Sequence, residues 1–157
     1  MTRVTILAVA RRAPAWVREG FGEYSKRLPR ELKLELIEIT PARRGGGRPL
    51  DQLLQAEAEA IRKSLPKEAF IIALDEGGET QSTLQLSARL GQWLKGGTHA
   101  CFIIGGADGL HESIRGLAHE AWSLSSYTLP HALVRVFLAE QIYRAWCILR
   151  NHPYHRE

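Results

Sequence analysis

Short apolar runs alternate along the chain with stretches of helical spacing. Continuous runs at residues 4–9, 69–74 and 100–104 are rich in Val, Ile, Leu and Phe, which is typical of strands that are covered on both faces. The run at 32–39 alternates apolar with charged positions over most of its length, which predicts a strand with a wetter face near the edge of a sheet. A fifth, shorter strand is expected at 121–125.

Helical spacing fills the intervals between these strands. Apolar residues recur every three or four positions within 15–28, 50–65, 86–94 and 110–121, and Ser82 with Gln85 has the spacing of a capping box ahead of the third of these helices. The alternation predicts an α/β fold, a three-layer sandwich with a mostly parallel sheet, formed by residues 1–157 as a single domain. Ligands of such folds bind beyond the carboxyl ends of the strands, so we expect function in the loops that follow them.

The last predicted helix, over residues 132–149, is apolar nearly all round. Its large side chains, among them Val136, Phe137, Ile142 and Trp146, cannot all occupy one face of a helix. The helix must therefore be covered on two sides. In a chain of this size we expect a second copy to provide one of those sides, which predicts a homodimer.

The composition is that of an ordinary globular protein, with 157 residues, 45% hydrophobic and 24% charged. Cys101 and Cys147 lie inside apolar runs, as small buried side chains do, which argues against a disulfide framework. Free cysteines in turn favour the cytoplasm as the location of the protein. No stretch approaches the roughly 18 apolar residues of a membrane span. His152 and His155 straddle a proline and neither cysteine has a C-x-x-C partner, so no metal site is expected.

The charge balance is mildly basic, with 21 Lys and Arg against 17 Asp and Glu and a net charge of +4. Three arginines, Arg43, Arg44 and Arg48, fall in the glycine-rich segment ARRGGGR, which is predicted to be a mobile loop. Such a loop is either a solvated linker or an arm that contacts phosphates, and the sequence leaves both open.

The loops after the third, fourth and fifth strands hold the candidate chemistry. The sequence contains neither a full G-x-G-x-x-G nor a G-x-x-x-x-G-K-[ST] motif, so the usual phosphate cradles of dinucleotide and nucleoside-triphosphate sites are missing. No G-x-S-x-G elbow surrounds Ser125, Ser126 or Thr128, which argues against a hydrolase triad. Their hydroxyl groups are suited either to hydrogen-bond an adenine edge or a ribose, or to close a turn.

The chain ends in an unusual segment, NHPYHRE, at residues 151–157. Terminal residues commonly fray, but this segment combines groups for stacking, proton transfer and phosphate binding. On the helix before it, Arg135 and Arg144 are costly to bury unpaired. Arg144 either pairs with Glu140, four residues earlier, or faces an anionic substrate.

Four segments together resemble the RlmH family of ribosomal large-subunit methyltransferases, which act on pseudouridine and belong to the SPOUT class: LIEI, IIGGADG, WSLSSYTLPHALVRVFLAEQIYRAW and NHPYHRE. The resemblance covers the whole chain. It implies a homodimeric, S-adenosyl-L-methionine-dependent 23S rRNA (pseudouridine-N3)-methyltransferase of the assembled ribosome, with a deep trefoil knot in its C-terminal half. The alternative is a non-catalytic ribosome-binding factor that retains the cofactor fold.

The resemblance also implies the residues of the site. The expected cofactor contacts are Leu74, Gly105, Leu124, Ser125, Ser126, Tyr127, Thr128 and Leu129. On the substrate side it indicates Tyr154, His155 and Arg156, with His131 and Arg144 as neighbours, on a tail that approaches the cofactor of the partner subunit. Many relatives have Pro and Glu where this chain has Ala107 and Asp108, which leaves the role of the shorter carboxylate open.

As a mechanistic hypothesis, the tail and its neighbours prepare the base for methylation. His155, or failing that His131, assists the loss of the N3 proton. Arg156 or Arg144 stabilises the resulting uracil anion, and Tyr154 stacks on the base. No metal is needed for this chemistry.

Overall fold

The computed structural model describes residues 1–156 and contains one five-stranded sheet. Its strands are β1 (Thr2–Val9), β2 (Leu32–Ile39), β3 (Phe70–Thr80), β4 (His99–Ile104) and β5 (Glu120–Ser123). They lie in the order β2-β1-β4-β3-β5, and every pairing between neighbours is parallel. The mostly parallel sheet predicted from the sequence is confirmed, with the alternating strand β2 at one edge.

Helices cover both faces of the sheet and complete the three predicted layers. One face carries α1 (Ala15–Ser25), α3 (Thr83–Gly96) and α5 (His131–Leu149), and the other carries α2 (Leu50–Ser64) and α4 (Glu112–Leu117). Successive residues of a buried strand point to opposite faces. In β4, Phe102 accordingly joins the core under α3 and α5, whereas Cys101 and Ile103 join the core under α2 and α4.

The third strand is longer than predicted. We expected it to end at Leu74, but pairing with β5 resumes at Glu79 after an irregularity, so that Leu74 and Glu79 both lie opposite Trp122. A Cβ atom on Gly78 would lie 2.7 Å from the backbone nitrogen of Trp122. Only glycine therefore allows this close return of β3 to β5, and the residues between the two pairings bulge toward the carboxyl edge of the sheet.

The fourth helix is shorter than predicted. The helix predicted over 110–121 is wrong at both ends, since α4 covers Glu112–Leu117. The side chain of His111 caps its start by accepting a hydrogen bond from the backbone N–H of Ser113. The backbone N–H of His119 then donates to the carbonyl of Ile71 at 2.8 Å, which draws the chain into the sheet before the helix can continue.

The other boundaries agree closely with the pattern. The capping box of Ser82 and Gln85 is present at the start of α3, and α1 ends at Ser25, three residues before the predicted end. No helix within the described part of the chain is long and apolar enough to cross a membrane.

The last helix is covered on two sides within a single chain. It packs between α1 and α3 above the sheet, which buries Leu138, Ala139 and Ile142 completely. Leu133 and Leu149 near its ends remain 37% and 38% exposed. Neighbouring helices therefore explain much of its apolar pattern, and the second copy and the trefoil knot stay predictions.

Candidate functional site

A cleft of about 570 Å³ opens at the carboxyl edge of the sheet. Its walls come from the bulge of β3, the loop between β4 and α4, the loop between β5 and α5, and the first residues of α5. This is the position at which parallel α/β sheets bind ligands, and the volume falls in the range of about 300–1,000 Å³ that is typical of small-molecule sites.

Most of the residues that the family resemblance implied for the cofactor come together in this cleft. Seven of the eight are part of its lining, namely Leu74, Gly105, Leu124, Ser125, Tyr127, Thr128 and Leu129. Ser126 is exposed and is not part of the lining. The side chain of Ser125 accepts a hydrogen bond from the backbone N–H of Tyr127 at 2.9 Å, which makes a tight turn with Ser126 at its tip.

The loop after β4 is built on glycine. A Cβ atom on Gly105 would lie 2.7 Å from the carbonyl carbon of Gly109, and Gly109 itself has a φ of +78°. The backbone N–H of Gly109 donates to the carbonyl of Gly106 at 3.0 Å. The loop is therefore closed on itself, with bare backbone at the floor of the cleft.

Charged groups that the sequence analysis did not single out also line the cleft. Arg115 of α4 donates to Asp75 at 3.3 Å, and the other carboxylate oxygen of Asp75 accepts from the backbone N–H of Gly77. The strand-end rule could have indicated Asp75, which directly follows the apolar part of β3. No local signal in the sequence marks Arg115.

The basic loop between β2 and α2 is tied down at its stem. Arg44 donates to the buried Glu57 at 2.7 Å and to Asp108 of the cleft loop at 3.0 Å, and Glu57 also accepts from the backbone N–H of Ala42 at 2.9 Å. The loop predicted to be mobile is thus anchored to α2 and to the cleft. Asp108, whose role the sequence left open, is the partner of Arg44 across this junction.

The C-terminal tail folds back on the last helix. Tyr154 donates to Glu140 at 2.7 Å, Arg144 donates to the same oxygen at 2.7 Å, and Arg144 also donates to Nδ1 of His155 at 3.2 Å. The guanidinium carbon of Arg144 lies 4.8 Å from the ring centre of Tyr154. Of the two partners left open for Arg144, the structure shows Glu140.

We define the tail cluster as Glu140, Arg144, Tyr154 and His155. Its environment shifts the pKa values of Tyr154 and Glu140 in opposite directions. Burial, helped by the nearby Glu140 carboxylate, raises the pKa of Tyr154, so the phenol stays protonated as a donor. Burial alone would raise the pKa of Glu140, but hydrogen bonds from Arg144 and Tyr154 outweigh it and the net pKa is lowered. Because guanidinium groups only donate, Nδ1 of His155 is an acceptor in this arrangement.

The tail cluster lies away from the cleft of its own chain. Of the five predicted substrate-side residues, only His131 lines the cleft. Glu140 and Arg144 lie nine and thirteen residues further along α5, which corresponds to about 14 Å and 20 Å at the rise of an α-helix. Arg156 is exposed at the end of the described tail.

Among residues 1–156, no three His, Cys, Asp or Glu side chains are grouped as they would be around a metal ion.

Comparison with known proteins gives relatives over nearly the whole chain. A sequence model of the family described as "Predicted SPOUT methyltransferase" matches residues 2–155. Two relatives named ribosomal RNA large subunit methyltransferase H, from Nitrosomonas eutropha and Paraburkholderia xenovorans, are each 50% identical over 154 residues, spanning 98% of this chain and 99% of theirs. A solved structure described as a probable methylase family protein from Haemophilus influenzae matches with a TM-score of 0.57 at 10% identity, over 99% of this chain and 70% of that one. At that identity the structural likeness concerns the fold alone.

Proposed function

The chain belongs to the SPOUT methyltransferase family, and from that premise we propose that it transfers a methyl group from S-adenosyl-L-methionine to N3 of a pseudouridine in the 23S rRNA of the assembled ribosome. The observation that carries the proposal is the convergence of three strand-end loops on one cleft. The names of relatives that are half identical over almost their full length support ribosomal RNA of the large subunit as the substrate. A ribosomal substrate also supports a cytoplasmic location.

The residues of the cleft fit this cofactor. Leu74, Leu124 and Leu129 provide apolar walls for an adenine ring, and the exposed backbone around Gly105 lets a ligand approach closely. Asp75 and Arg115 present opposite charges suited to the ammonium and carboxylate groups of a methionine moiety. When bound, the cofactor supplies an activated methyl group on a sulfonium centre.

The side chains of the tail prepare the nucleophile in this proposal. The N3 proton of the base must leave for the nitrogen to attack, and His155 accepts it, with His131 at the cleft as the alternative. Arg144 or Arg156 stabilises the negative charge that develops on the uracil ring, and Tyr154 stacks on that ring. When Arg144 turns from His155 to the substrate, the lone pair on Nδ1 becomes available for the proton.

Two copies of the chain complete one site in this proposal. The tail cluster and the cleft are separated along α5, so the tail of one copy acts on the cleft of the other. The exposed Leu133 and Leu149 on α5 support a contact between copies. Each dimer then contains two composite sites.

The test is methyl transfer to ribosomes that lack the modification. Incubation with S-adenosylmethionine carrying a tritiated methyl group, followed by mass spectrometry of the nucleosides, is expected to give N3-methylated pseudouridine. Free 23S rRNA, isolated large subunits and assembled ribosomes are the three substrate arms, and the assembled ribosome is expected to react fastest. Calorimetric binding of the cofactor without transfer in any arm would instead support the non-catalytic ribosome-binding factor.

A further inference from the structure

An exposed basic surface follows the first strand. We define the β1–α1 surface as Arg11, Arg12, Trp16 and Arg18, which are all exposed, Trp16 by 54%. No acidic residue lies between Arg11 and Arg18. Within residues 1–156, Arg11 and Arg12 form no ion pair, so their charges are available to a partner.

This surface adjoins the cleft. Strand β1 lies beside β4 in the sheet, and both end at the same edge because they are parallel. Gly106, in the cleft lining, lies next to the end of β1, since a Cβ atom there would be in ordinary contact with the carbonyl oxygen of Val9 at 3.4 Å. The arginines begin two residues after Val9, so the loop that carries them starts beside the cleft.

An ion pair with a buried arginine anchors the loop that carries this surface. Arg135 of α5 is 2% exposed and donates to Glu38 at 2.8 Å. The same carboxylate oxygen accepts from the backbone N–H of Ala13, and Arg18 donates to the carbonyl of Ala13 at 3.1 Å. Because Arg135 directly follows Val134, which lines the cleft, the network holds the loop after β1 in a set position relative to the cleft.

We propose that the β1–α1 surface binds the RNA strand that flanks the target base, an inference that rests on the proposed function. Arg11 and Arg12 contact phosphates, and Trp16 stacks on an unpaired base. No acidic residue separates the three cations along the chain, which favours contact with a sugar-phosphate backbone, and an exposed aromatic ring among them is typical of single-stranded nucleic-acid binding. The anchoring of the loop by Arg135 lowers the entropy cost of ordering it on the RNA.

The first test compares two variants with the same charge change. Arg11→Gln/Arg12→Gln removes two cations beside the cleft, and Lys67→Gln/Lys95→Gln removes two exposed cations from the opposite, amino-terminal edge of the sheet. Binding to unmodified ribosomes is measured over a series of KCl concentrations. The arginine variant is expected to lower the salt slope of the binding constant by about 1.4–1.8 and to weaken binding roughly tenfold or more. The lysine variant is expected to keep the wild-type slope, and both are expected to keep cofactor affinity by calorimetry.

The second test concerns Trp16. Trp16→Ala is expected to weaken ribosome binding about tenfold, and Trp16→Phe to restore part of the loss, because a smaller ring still stacks. The slope against salt is expected to stay at the wild-type value, since no charge is lost. Equal loss in Trp16→Ala and Trp16→Phe would argue against stacking and overturn this part of the proposal.

Two outcomes would overturn the whole inference. One is an arginine variant that binds ribosomes like the lysine variant. The other is an arginine variant whose mass in sedimentation changes while its salt slope does not, because the surface would then join copies of the chain. If the arginine variant shows the expected loss of slope but the wild type transfers no methyl group, the proposed function fails and the surface stands. If the wild type methylates ribosomes and the arginine variant binds like the lysine variant, the inference alone fails.

Discussion

The guanidinium group of Arg135 joins three parts of the molecule that are far apart in sequence. It lies on α5, its partner Glu38 lies on β2, 97 residues away, and the same carboxylate oxygen binds the loop after β1. A buried charge that loses its partner is costly, whereas a buried pair adds little net stability. The pair therefore matters mainly because it fixes where the loop after β1 lies.

Removal of one member of this pair is expected to destabilise the fold. Arg135→Met should lower the free energy of unfolding by about 2 kcal/mol, less than for a fully buried pair because the Glu38 side chain is 28% exposed. Urea unfolding followed by circular dichroism measures the loss. The matched double variant Arg135→Met/Glu38→Gln should recover part of it, and a double variant no more stable than Arg135→Met alone would contradict the pairing.

Gly105 is expected to be needed at the floor of the cleft. In Gly105→Ala the new Cβ would lie 2.7 Å from the backbone of Gly109, so the loop must move and cofactor affinity should fall about tenfold or more. Isothermal titration with S-adenosylmethionine measures this effect. The control is Gly116→Ala on α4, where an added Cβ meets no atom within 4 Å. Unchanged affinity in Gly105→Ala would remove this loop from the cofactor site.

His99 is expected to make stability depend on pH. Burial lowers its pKa below the ordinary 6.5, so below pH 6.5 the unfolded chain binds more protons than the folded chain. The contribution of neutral His99 is complete above pH 6.5 and is lost as the pH falls toward the folded pKa. Urea unfolding at pH 7.5 and 5.5 should show a smaller decrease for His99→Gln than for the wild type, and an equal decrease would refute the assignment.

At the scale of elements, the apolar pattern predicts the strands and helices whose side chains are buried in the core. The continuous apolar runs at β1 and β4 predict strands covered on both faces, and their residues do join the cores on both sides of the sheet. The pattern misses the second half of β3, because DEGGET is polar and its pairing depends on close packing of Gly78 against β5. The pattern also predicts α4 too long. The chain leaves the helix because the backbone N–H of His119 donates to the carbonyl of Ile71, and a backbone hydrogen bond leaves no apolar signal in the sequence.

The capping box at α3 is a local signal that can be tested directly. Ser82→Ala removes the acceptor for the backbone N–H of Gln85 and is expected to lower the free energy of unfolding by about 1 kcal/mol. Ser82→Gly should cost less, because glycine leaves the backbone end open to water. Gln92→Ala, an exposed change within the same helix, is the control. A loss in Gln92→Ala as large as in Ser82→Ala would show that the cap is not the cause.

At the scale of the whole molecule, the cleft could be predicted from the sequence, but the ion pairs around it and the position of the C-terminal tail could not. The rule for strand ends and the family resemblance both indicated the loops at Leu74, Gly105 and Leu124, and the structure brings them together. The ion pairs of Arg44 with Glu57 and of Arg115 with Asp75 join residues that no sequence pattern relates. The tail was expected near a cofactor, but its position on α5 depends on the Tyr154 and Arg144 bonds to Glu140.

The separation of tail and cleft makes mixed dimers the most direct test of the account. Thr128→Trp places a large side chain in the cleft lining at an exposed position, and Tyr154→Ala/His155→Ala removes the tail groups, so each variant alone is expected to be inactive. The two chains are co-expressed with different tags, and the heterodimer is purified through both. It is expected to methylate unmodified ribosomes at about half the wild-type rate, because one intact cleft meets one intact tail. A purified heterodimer as inactive as its two parents would contradict a site shared between copies.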